Sequence, residues 1–117
     1  MKSCLIINTK GPHSTQAAKE AQDATLAFAA FGIPLGVLFM GDGVFQIKRH
    51  QNPPPGQKNT AATFDSFELY DINDIYVCEE DLAQRGLSTD DLSISVKPLP
   101  QSAINELFTR YHNLLTF

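Results

Sequence analysis

The sequence predicts an α/β fold: one domain spanning residues 1–117, layered α/β/α around a mostly parallel sheet of about five strands. Three observations lead there. Short apolar runs alternate with amphipathic helical segments along the chain. Several runs are apolar at nearly every position, as strands covered on both faces must be. Glycines and a proline mark the ends of the helical segments, where caps and stops belong.

In order, "CLIINT" (Cys4–Thr9) has the length and Ile/Leu content of a buried strand. In the loop "KGPHST", Ser14 or Thr15 is placed to cap the helix that follows. Apolar residues at Ala17, Ala21, Ala24, Phe28 and Phe31 make one helical stripe, rich enough in alanine to lie close to a sheet. Gly32 ends that helix. "IPLGVLFM" (Ile33–Met40) is the second strand, and "GDGVFQ" turns sharply off it. The prolines of "KRHQNPPPGQKN", residues 51–59 above all, make an extended loop. Helical spacing resumes in "TAATFDSFELYDI" through Ala61, Phe64 and Ile72.

"DIYV" is a third strand running into Cys78. "EEDLAQRG" is a short helix with acids at its N-terminus, where the helix dipole favours them, and Gly86 at its end. "LSISVKPL" alternates like a fourth strand. Pro100 opens a last helix striped by Ile104, Leu107, Phe108 and Tyr111, and "LLTF" closes the chain as a short strand. Strands separated by helices imply crossover connections, hence parallel pairing with helices on both faces.

Composition bounds the function. With 43% hydrophobic and 19% charged residues, the chain reads as a folded soluble protein. A net charge of -4 and a pI near 5.2 exclude a phosphate-binding surface for nucleic acid; only "KRH" at Lys48–His50 is locally basic. No apolar stretch approaches membrane-spanning length, and "MKSCLIIN" does not read as a signal peptide. Two cysteines without a CxxC spacing form no disulfide framework, which fits a reducing cytoplasm, and no metal-ligand spacing is readable.

Parallel sheets place chemistry at the carboxyl ends of their strands, here Asn8–Thr15, Met40–Gln46, Cys78–Asp81 and Val96–Leu99. Cys78 is the candidate nucleophile, because helix N–H groups just beyond it would stabilise a thiolate. Glu79, Glu80 and Asp81 follow at once and disfavour that second anion; Arg85 could offset them from the helix end. A half-buried structural cysteine is the competing reading, and the residues favour it. Cys4, inside an apolar run, belongs to the core. "GDGVFQ" lacks the remainder of a phosphate-binding GxGxxG, so its glycines serve the turn. Val44 and Phe45 beside it form an apolar pair suited to a subunit contact. His13 reads as a solvated loop residue, and His50 and His112 carry no role.

Taken together, "GPHSTQAAKEAQDATLAFAAFG", "LFMGDGVFQ", "PPPGQ", "TFDSFELYDINDIYVCEEDLAQRGL" and "LLTF" resemble the DsrE/DsrF-like family and, within it, the C-type (TusC/DsrF) branch. The likeness runs from the first strand to the last residue. It implies one of three related subunits, with sister B- and D-type subunits in a heterohexamer built as a dimer of trimers. Such a complex relays persulfide sulfur from an upstream to a downstream sulfur-carrier protein. In the Tus system the sulfur ends as the 2-thio group of a tRNA wobble uridine; in the Dsr system related subunits help oxidise stored sulfur. The resemblance implies no cofactor, no metal, and no direct contact with nucleic acid or membrane. The family's active cysteine belongs to the D-type subunit, at the junction that Cys78 occupies here. A C-type chain is implied to be an accessory structural or docking partner. The alternatives are an active persulfide carrier through Cys78, or a domain binding a small molecule or nucleotide through Thr9–Thr15 and Gly41–Gln46.

Overall fold

The computed structural model describes residues 3–11, 16–48, 72–92 and 94–117. Along the chain run β1 (Cys4–Asn8), α1 (Ala17–Ala30), β2 (Leu35–Phe39), a 3-10 segment (Gly41–Ile47) and β3 (Ile75–Cys78). They are followed by α2 (Glu79–Gln84), a 3-10 turn (Thr89–Asp91), β4 (Lys97–Leu99), α3 (Gln101–Arg110) and β5 (Asn113–Thr116). The sheet has five strands in the order β4-β3-β2-β1-β5, and every pairing in it is parallel.

Strand periodicity sorts the core onto the two faces of this sheet. Cys4 and Ile6 face α1, where they meet Ala21, Phe28, Leu115 and Phe117. Val37, Phe39, Ile75 and Val77 share that side with Leu82 of α2 and with Val44 and Ile47 of the 3-10 segment. Leu5, Ile7, Leu38, Tyr76 and Cys78 point the other way, onto Ile104 and Leu107 of α3. Both faces are thus covered, which is why β1 is buried at all five positions. Gly32 and Gly86, with φ of 73° and 69°, stop α1 and α2 as expected.

Two elements differ from the sequence reading. The buried stripe of α1 is Ala18, Ala21, Gln22 and Thr25. Phe31, expected to complete the stripe, lies just past the helix end and is 80% exposed. Thr25 can be buried because its hydroxyl donates to the Ala21 carbonyl at 2.7 Å. The fourth strand is also shorter than "LSISVKPL". Leu92 joins Lys48 in an isolated antiparallel bridge outside the ladder, and the ladder with β3 begins at Lys97. Ile94 and Val96 owe their apolar character to packing against the α1-side core, not to strand pairing. The N-cap of α1 is Gln16, not the expected Ser14 or Thr15, and its side chain makes no capping hydrogen bond. His13, His50, the proline-rich loop and the helix expected from Thr60 lie outside the described residues. Ile72, at the end of that segment, is buried in the core.

Candidate functional site

The carboxyl ends of the first four strands converge, and the acidic first turn of α2 ties them together. The Met40 N–H donates to the Asn8 carbonyl at 3.0 Å, joining the exits of β2 and β1. The Gly41 N–H donates to Asp81 Oδ2 at 2.7 Å, and the Gln101 N–H to Glu80 Oε2 at 2.9 Å. Glu80 and Asp81 therefore hold the starts of α3 and the 3-10 segment. From sequence they read as acids suited to a helix N-terminus and as negative charge beside a thiol. Their tethering role needs the convergence of three strand ends, which no local pattern reveals.

Arg85 closes the arrangement from the end of α2. Its Nε donates to Asp42 Oδ1 at 3.1 Å and its Nη1 to the Asp81 carbonyl at 3.1 Å. The expected approach of Arg85 occurs, but toward Asp42 and Asp81. With the Asp81 carboxylate already on the Gly41 N–H, the glycine turn carries its own anion where a phosphate-binding loop would hold a ligand's. Asp81→Ala should cost about 2 kcal/mol, as expected for a hydrogen bond to a charged acceptor. Arg85→Ala should cost under about 1 kcal/mol because Asp42 is exposed. Urea denaturation of the two variants measures the difference.

Cys78 is the last residue of β3 and the N-cap of α2, the strand-to-helix junction expected of it. Its side chain points toward α3 and is 0% exposed. The thiol lies 3.6 Å from Glu80 Oε2 and 3.9 Å from Gln101 Oε1, both oriented as acceptors. The access that a working thiol requires, plausible in the sequence, is missing in the folded chain. Burial, above all, pushes the thiol pKa up from 9.0 to about 11. A backbone hydrogen bond at Asp81 opposes the shift, and the Asp81 and Glu80 carboxylates add to it.

This shift has a consequence for stability. An unfolded Cys78 loses its proton near 9.0, whereas the native thiol keeps it until about 11. Below pH 9 the two states bind the same proton and the contribution is fully present. Between pH 9 and 11 only the unfolded state ionises, so roughly 3 kcal/mol is lost across that window. Burial raises Cys4 and Tyr111 in the same direction. Urea midpoints taken from pH 8 to 11 should fall, and less steeply in Cys78→Ala.

Val44 and Phe45 do not form the exposed pair that the sequence suggested. Val44 is 0% exposed and packs with Phe39, Ile47 and Val77, while Phe45 is half-buried. The 3-10 winding turns Val44 inward, so only Phe45 has surface to offer a partner. Cys4 is buried in the core. His112 lies at the opposite end of the sheet, where its Nδ1 accepts from the Ser3 N–H at 3.1 Å. Among the described residues, no three His, Cys, Asp or Glu side chains gather as a metal site. No described helix is long and apolar enough to cross a membrane.

Comparison with known proteins agrees with this architecture. The E. coli ychN protein has the same fold, with a TM-score of 0.85 over the whole of both chains at 19% identity. A protein of unknown function from Methanobacterium thermoautotrophicum also matches in full, with a TM-score of 0.72 at 9% identity. Proteins named "Protein TusC homolog" are similar in sequence. The one from Pseudomonas aeruginosa is 36% identical over 98% of both chains. That from Vibrio parahaemolyticus is 39% identical over 100% of both, and that from Vibrio vulnificus 37% over 91% of both. The model of the DsrE/DsrF-like family matches residues 2–117, and the chain belongs to that family.

Proposed function

We propose that this chain is the C-type subunit of a sulfur-relay complex and serves it as a structural and docking partner, not as its main sulfur carrier. The complex passes persulfide sulfur toward the 2-thio group of a tRNA wobble uridine. It works in the cytoplasm as a heterohexamer with B- and D-type sisters, between upstream and downstream carrier proteins. Likeness to the TusC homologs supports the place in a relay.

The state of Cys78 carries the non-carrier part. To take up sulfur, a thiolate must attack the outer sulfur of a donor persulfide, forming Cys–S–SH as the donor leaves as a thiolate. With a pKa of about 11, Cys78 is ionised in roughly one molecule in ten thousand at pH 7. Its sulfur is also closed off by Glu80 and Gln101. The carrier alternative rests on the position of Cys78 alone. Cys78→Ser in the assembled complex should leave 2-thiouridine in cellular tRNA at its normal level. Loss of the modification, with the complex still assembled, would make Cys78 a carrier.

A further inference from the structure

The two edges of the sheet are built differently. Along β4 the outer edge carries Lys97, whose side chain is 60% exposed, and Pro98, which has no N–H to offer. Charge and proline on an edge strand block pairing with another chain. The opposite edge, β5, reads Asn-Leu-Leu-Thr and carries neither. Asn113 and Phe117 direct their N–H groups to Ser3 and Ile7, on either side of the β1 ladder. Strand alternation therefore turns the N–H and C=O of Leu114 and Thr116 outward. These groups have no partner among the described residues.

Apolar surface accompanies this open edge. Leu114, in the edge strand itself, is 43% exposed. Between α1 and β5 lies a hollow of about 560 Å³ lined by Cys4, Phe28, Ile33, His112 and Leu115, among others. Among the described residues, neither the strand nor the lining of the hollow contains Asp, Glu, Lys or Arg.

We propose that β5 pairs antiparallel with β5 of a second copy of this chain, about a two-fold axis through Leu115. In that register Leu114 of each copy faces Thr116 of the other. The four outward N–H groups and four outward C=O groups then form four hydrogen bonds. The two Leu115 side chains meet beside the two hollows, which give them apolar room. A second copy fits because the edge is neutral and self-complementary: in a chain of net charge -4, this strand opposes no like charges across the axis. The inference does not depend on the sulfur-relay reading.

Sedimentation equilibrium of the purified full chain tests it by mass. The wild type should dimerise. Thr116→Pro removes one outward N–H on the side away from β1, and Leu114→Lys places a charge on the edge. Each should raise the dimer dissociation constant at least tenfold while circular dichroism shows the fold retained. A wild type that stays monomeric, a dimer indifferent to both substitutions, or an edge that pairs only with a different subunit would overturn the proposal.

Discussion

Gly43→Ala removes about 3 kcal/mol of stability, the upper range for overpacking a well-packed site. Gly43 lies in the 3-10 segment where it crosses the carboxyl end of β1, and a Cβ there would overlap the Asn8 carbonyl. The obstacle is backbone, so no rotamer change relieves it. Asn8 cannot withdraw, because its carbonyl accepts from the Met40 N–H and its strand is buried on both faces. Moving the 3-10 segment instead would pull Val44 and Ile47 from the core. Urea denaturation measures the loss, and a cost below about 1 kcal/mol would show that the crossing is looser than described.

Alkylation of Cys78 by iodoacetamide at pH 8 should be at least about 100-fold slower in the folded chain than in denaturant. That factor follows from thiolate population alone, for a pKa raised from 9.0 to about 11. Burial of the sulfur lowers the rate further. Glu80→Gln should recover less than tenfold, because burial, not the carboxylate, is the main cause of the shift. Equal rates in folded and unfolded chains would mean that α3 does not cover Cys78.

Much of this fold is legible in the residues, for identifiable reasons. Cys4–Ile7 and Leu35–Phe39 are apolar throughout because helices cover both sheet faces, and Gly32 and Gly86 mark helix ends that need positive φ. Lys97–Leu99 is harder to delimit, because the alternation leading into it reflects packing against the core and not a hydrogen-bonded ladder. Cys78 is found by its place between a strand and a helix, and the acids after it rightly read as hostile to a thiolate. Their larger role is not legible there. Glu80 and Asp81 bind Gln101 and Gly41, which are far away in sequence and adjacent only once the sheet is assembled. The inward turn of Val44 is hidden for a similar reason: a 3-10 winding that takes in the glycine pair changes which side chain faces the core.

The central claim is that the chain holds a relay together without carrying its cargo. Mass spectrometry after exposure to a persulfide donor, with the chain alone and with its sister subunits, tests it most directly. The expected spectrum shows no added sulfur on Cys78 in either sample, and sulfur on a sister subunit in the complex. A stable gain of one sulfur atom on Cys78 would contradict the claim and make this chain a carrier.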